Sequence, residues 1–172
     1  MAAEPNSTED SNRNLERLTR GILLISIVIL SGFIVYNLVK PSEEFVQFSI
    51  FNDQQQMGNY PTTVPVGTNV TFYFQVQNFY RTPREYQVRI YRGSSESIIN
   101  PQTGVQGAVS LLNLTRNMHG EETWLSEPIN VSFPAVGDNQ FIGLELWEKT
   151  NGEFRYIPTY VLFLRLNVTA SV

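Results

Sequence analysis

His119 is the only histidine and the chain has no cysteine, so a transition-metal site would start from one nitrogen and complete its shell with carboxylates. That is a poor donor set for zinc. His119 lies in Asn117-Met118-His119-Gly120-Glu121-Glu122, which reads as a turn, and no nucleophile pattern accompanies it. The sequence contains no P-loop, no G-x-S-x-G elbow and no H-E-x-x-H. Glu121 and Glu122 are adjacent, and in a strand they would face opposite ways, whereas a glycosidase pair must converge across about 5 to 9.5 Å. No D-x-D-x-D-G loop is present for calcium, and Val136-Gly137-Asp138-Asn139 reads as a turn. These residues point to no catalytic group, no cofactor and no metal site.

The spacing does offer acceptor chemistry. Asn-x-Ser/Thr occurs at Asn69, Asn113, Asn130 and Asn167, more often than the local density of Asn, Ser and Thr gives by chance. Such an asparagine accepts a glycan on exported chains. Three of the four stand at strand positions facing away from the apolar side, where a glycan has room. Asn6-Ser7-Thr8 falls before the apolar run and is expected to stay bare.

The elements that position these residues begin with a membrane segment. Residues 21–39, GILLISIVILSGFIVYNLV, carry no charge, and as a helix they rise roughly 28 Å, close to a hydrocarbon core of about 30 Å. Only Ser26, Ser31 and Tyr36 interrupt the apolar surface, so no polar stripe of a buried helix is present. The run exceeds the usual h-region of about 7 to 15 residues, and no A-x-A-like cleavage pair follows. An uncleaved anchor is expected. Arg13, Arg17 and Arg20 precede it and Lys40 alone follows closely, which places the N-terminus in the cytoplasm. Residues 1–20 are expected as a cytoplasmic disordered tail, 21–39 as the transmembrane helix, and 40–172 as an extracytoplasmic domain.

Beyond residue 40 the pattern is all β. Residues 45–51, 70–76, 84–91, 129–133, 140–149 and 160–168 are rich in β-branched and aromatic side chains, with turn residues between them. In VTFYFQV, Phe72 and Phe74 face a core while Tyr73 and Gln75 face water. No helical period follows residue 40, so parallel crossovers have no helices to use. The expectation is an immunoglobulin-like antiparallel β-sandwich of about seven strands, held by packing alone. Residues 93–123 read as a long connection with one or two short strands, crossing between sheets as in a Greek key.

Between residues 41 and 172 there are eight Arg or Lys against twelve Asp or Glu, net minus four, which argues against a nucleic-acid partner. Arg81, Arg84, Arg89 and Arg92 cluster, and a solvated strand edge is the expected account. The last hairpin has two oily faces. Leu144, Leu146, Leu162, Leu164 and Leu166 share one; Phe141, Trp147, Val161 and Phe163 share the other. Either residues 93–123 cover that second face or it is a partner-binding patch.

The succession FVQFSIF, NYPTTVPVGTNVTFYFQVQN, YRTPREYQVRIY, NMHGEETWLSEPINVSF and GDNQFIGLELWEKTNGEFRYIPTYVLFLRLNV resembles the extracytoplasmic β-domain of domain-of-unknown-function family 1616, found chiefly in archaeal membrane proteins. The resemblance covers residues 44–170. It rests on Tyr60-Pro61 ahead of Val66-Gly67, on Asn78, Tyr86 and Glu122-Thr123-Trp124, and on Gly137. It implies architecture and supplies no catalytic residues. Family members often carry several spans where this chain shows one, so nothing belonging to extra spans transfers.

Two function classes follow. One is a non-enzymatic interaction module, anchored by a single span and binding a protein of the envelope, a surface layer or a membrane complex. The other is a filament subunit, because Arg20-Gly21 before an apolar helix resembles the processing site of archaeal pilins and archaellins, although Ile22 stands where a small or polar residue is usual. A carbohydrate-binding accessory using Trp or Tyr stacking is a third reading.

Overall fold

The computed structural model describes residues 7–39 and 44–171, and the chain divides into two compact units, Met1–Glu43 and Glu44–Val172. Among its described residues the first unit holds one helix, α1 (Ser7–Val39). It starts well ahead of the apolar run, so the stretch expected as a disordered tail is helical from Ser7 onward; residues 1–6 and 40–43 lie outside the description. The physical reason is local. Glu16 pairs with Arg20 one turn on, at 2.5 Å. Within α1, Leu15–Leu38 is long and apolar enough to cross a membrane, and none of it is buried against protein.

The second unit contains β1 (Val46–Phe51), β2 (Thr63–Pro65), β3 (Asn69–Asn78), β4 (Arg84–Gly93), β5 (Ile98–Asn100), β6 (Gly104–Gln106), β7 (Val109–Met118), β8 (Thr123–Leu125), β9 (Ile129–Ser132), β10 (Gly137–Thr150) and β11 (Glu153–Thr169). Alternation places the core. Along β3, Val70, Phe72, Phe74 and Val76 are buried and their neighbours are not, each buried phenylalanine stabilising the fold by about 1.5–3 kcal/mol. In one sheet β3 is central, with β1 on one side and β8 and β9 also paired to it. Ser126 joins β8 to β9: its Oγ accepts from Phe74 N at 3.0 Å and its N–H donates to Phe74 O at 2.9 Å. The other sheet has the order β2-β11-β10-β4-β7.

Phe72, Phe74, Trp124 and Val131 of the first sheet share one core with Tyr86, Ile90, Leu144 and Leu166 of the second. With β1, β3 and β8/β9 facing β4, β10 and β11, the unit is an immunoglobulin-like β-sandwich.

The structure differs from expectation in three respects. Eleven strands are present among the described residues rather than about seven. β2 pairs parallel to β11, which needs no helix because a long intervening chain passes through both sheets first. Residues 93–123 hold the β5–β6 hairpin and the ten-residue β7, which pairs along β4. β4 is therefore an interior strand between β10 and β7, and its arginines do not line a sheet edge.

Candidate functional site

Glu145 is the residue on which the outward face of the second sheet is organised. Its neighbours in register are Arg89 on β4 and Val161 on β11, and it is only 2% exposed. Burying a carboxylate is costly unless hydrogen bonds replace water. Three donors do so. The Tyr91 hydroxyl donates at 2.9 Å, Trp147 Nε1 at 2.8 Å, and the Val105 backbone N–H from β6 completes the set. The Arg89 guanidinium lies over the Trp147 ring, 3.5 Å from its centroid, and leaves the carboxylate to uncharged donors.

A hairpin is thereby held to the sheet from across the sequence. Gly104 has φ +83, and a Cβ there would overlap Glu145 Oε1, so glycine is required by both backbone and space. At the hairpin tip the Pro101 carbonyl accepts from Thr159 N at 2.6 Å and from the Tyr156 hydroxyl at 2.9 Å. The β10–β11 pairing is interrupted between Val161 and Tyr156. Pro158 brings no N–H to a ladder, and Thr159 adopts φ 72; the irregular segment turns Thr159 N toward the hairpin instead of the neighbouring strand.

Among the four side chains expected to form a partner surface, Phe141 is fully buried, which removes it from any exposed patch. The cause is glycine: a Cβ at Gly93 would overlap the Phe141 ring, and Gly143 lies against the same ring. Trp147 and Val161 are half-buried, and Phe163 is 47% exposed. Residues within 93–123 do cover this face, through β5 and β6. Sequence reasoning did not find Glu145, Tyr91 or Tyr156. The available signal was a carboxylate at an alternate position of Phe141-Ile142-Gly143-Leu144-Glu145-Leu146-Trp147, aligned with aromatic side chains.

Burial, followed by the neighbouring Glu145 charge, pushes the Tyr91 hydroxyl up to about 12. The same two causes raise Tyr156. A raised folded-state value means that the unfolded chain loses its proton first, near 10. The stabilisation is therefore complete below pH 10 and is lost as pH climbs toward 12. Alkaline titration followed by far-UV circular dichroism and tyrosinate absorbance is expected to show unfolding in that window, and Tyr91→Phe to make the loss shallower.

A second network gathers the residues of the turn around His119. Asn78, fully buried, donates through Nδ2 to His119 O at 2.9 Å and Thr82 O at 3.3 Å. Its Oδ1 accepts from Tyr80 N at 3.1 Å and the Tyr86 hydroxyl at 3.4 Å, and its backbone N–H donates to Glu122 O at 2.9 Å. Glu122 accepts from His119 N and Arg116 Nη2, both at 2.7 Å; the His119 N–H first, then Arg116, lower its carboxyl below the usual range. His119 and Glu122 thus serve a turn in which Glu121 takes φ 61.

Arg84 pairs with Glu148 and lies 3.5 Å from the Tyr80 ring centroid. Arg92 donates to Ser132 O at 2.7 Å, joining the two sheets. An open cleft of about 510 Å³ beside Arg84, Glu148 and Lys149 is lined by charges already matched, Lys149 lying 2.8 Å from Glu85. All four asparagines of the Asn-x-Ser/Thr triplets are exposed. Asn69 starts β3, Asn113 is midway along the edge strand β7, Asn130 lies in β9 and Asn167 near the end of β11.

No family model and no curated protein matches the chain. Among solved structures it is similar to the CARDB domain of the PF1109 protein from Pyrococcus furiosus, crystallised in complex with di-metal ions. Identity is 12% and TM-score 0.46, over 73% of this chain and 89% of that one. A β-glucosidase from Listeria innocua in complex with laminaribiose is similar at 9% identity and TM-score 0.46, over 77% of this chain and only 17% of that one. The sporulation control protein Spo0M from Bacillus subtilis is similar at 8% identity and TM-score 0.42, over 73% of this chain and 50% of that one. At these identities and scores no residue role or activity carries over.

Proposed function

We propose that the chain is a single-pass membrane protein whose β unit works outside the membrane as a non-enzymatic interaction module, binding a protein of the cell envelope, a surface layer or a membrane complex. The kinship proposed with domain-of-unknown-function family 1616 agrees with that placement. The observation that carries the reading is α1: its residues 21–38 carry no charge, and the apolar stretch is not buried inside the protein, which in water is unfavourable and in lipid is not. The arginines ahead of the apolar run support a cytoplasmic N-terminus. On the β unit, Phe163 at 47% exposure, with Arg165 5.5 Å from its ring centroid, supplies an aromatic anchor of the kind partners use.

Crosslinking in intact native membranes, with identification of neighbours, tests the reading. A specific protein partner is expected, with capture reduced at least tenfold in Phe163→Ala, a residue that takes no part in the Glu145 network. Recovery of this chain alone would overturn the interaction role. A native N-terminus beginning at Ile22 would favour the filament subunit instead.

A further inference from the structure

We propose that Asn130 is a glycan-bearing residue in the native protein, and that the outward face of the first sheet is the surface on which the attached sugar lies. This rests on the β unit being outside the membrane. Two triplets, Asn69-Val70-Thr71 and Asn130-Val131-Ser132, run antiparallel side by side with Asn69 opposite Ser132 and Thr71 opposite Asn130. Val70 and Val131 are each 3% exposed, and strand alternation sends the asparagines and hydroxyls of both triplets to the same outer side.

The asparagine amide is oriented. Thr71 Oγ1 donates to Asn130 Oδ1 at 2.6 Å. That bond fixes the carbonyl oxygen and takes nothing from Nδ2, the atom that would carry the sugar, so the orientation survives modification. At Asn167 the Oδ1 is also held, accepting from Asn139 N at 3.0 Å, but the hydroxyl of its own triplet, Thr169, is turned back to Val64 O at 3.4 Å. Asn113 sits on the strand flanked by Arg89, its register partner, and by Arg116 further along β7. Asn69 lies diagonal to Asn130 across the strand pair, about 7–8 Å away, so a glycan on one crowds the other.

The chemistry of the face points to the same occupant. The outward positions of β1, β3, β8 and β9 include no Lys, Arg, Asp or Glu, whereas surfaces are commonly about 25–35% charged. Ser49, Thr71, Tyr73, Gln75 and Ser132 present hydroxyls, an amide and a phenol ring, groups that hydrogen-bond to sugar hydroxyls and stack on a pyranose.

In the reaction, Asn130 is the acceptor. Its Nδ2 forms a bond to the anomeric carbon of a sugar carried on a polyprenyl phosphate or pyrophosphate. The bond from that carbon to the phosphate oxygen breaks, the lipid phosphate leaves with the electron pair, and one Nδ2 proton passes to a base of the transferring enzyme.

Intact-mass and glycopeptide measurements on the full chain from native membranes test this, alongside protease treatment of intact cells. Mass in excess of the sequence is expected at Asn130, lost completely in both Asn130→Gln and Ser132→Ala and retained in Ser132→Thr. A bare Asn130 in a β unit that protease digests from outside overturns the proposal and leaves the topology standing, as does a glycan confined to the other three asparagines. A β unit protected in intact cells and bare at Asn130 overturns both.

Discussion

Glu145→Ala is expected to lower the unfolding free energy of the β unit by about 3–5 kcal/mol, because three partly buried donors lose their buried acceptor at once. The Tyr91 hydroxyl, Trp147 Nε1 and the Val105 N–H all end on this carboxylate, and the 2% exposure of Glu145 leaves little water to replace it. Glu145→Gln keeps one acceptor oxygen and should cost less, about 1–3 kcal/mol. Guanidinium denaturation of the detergent-solubilised full chain gives both values. Hydrogen exchange locates the effect: amides of β5 and β6 should lose protection before those of β3. If Glu145→Ala shifts stability by less than about 1 kcal/mol and leaves the hairpin protected, the carboxylate does not hold it.

Asn78→Ala is expected to cost about 2–4 kcal/mol, since one side chain joins the Thr82 carbonyl, the His119 carbonyl, the Tyr80 amide and the Tyr86 hydroxyl. The midpoint of thermal unfolding should fall, and Asn78→Asp should not restore it, because a carboxylate cannot donate to the two carbonyls. Full rescue by aspartate would refute the assignment of these bonds.

What could be read from the sequence was whatever alternation or apolar length encodes locally. β3 announces itself because Val70, Phe72, Phe74 and Val76 alternate with polar residues, and the apolar run of α1 shows its length directly. β7 is silent for the converse reason: in Val109–Met118 only Met118 is buried, so the strand forms by pairing its backbone with β4 rather than by burying a face. β2 is three residues long and ends in proline. The buried carboxylate is legible as an oddity in an oily strand, but its partner N–H at Val105 lies forty residues earlier, beyond any local pattern. Asn78, Tyr86 and Glu122, from separate segments, meet in one hydrogen-bonded network, and Gly67, at φ +78, donates its N–H to Phe133 O at 2.9 Å; no local pattern shows that these positions tie turns together.

The parallel pairing of β2 with β11 has a mechanical consequence. Val66 N donates to Thr169 O and Asn167 N to Thr62 O, both at 2.8 Å, and the Ser171 hydroxyl adds a bond to Val66 O at 3.3 Å. Once β1 has peeled away, tension between the two termini of the sandwich drags these strands past one another lengthwise, loading their bonds together rather than unzipping them singly. Such a joint resists through a slow rupture rate rather than a large equilibrium stability.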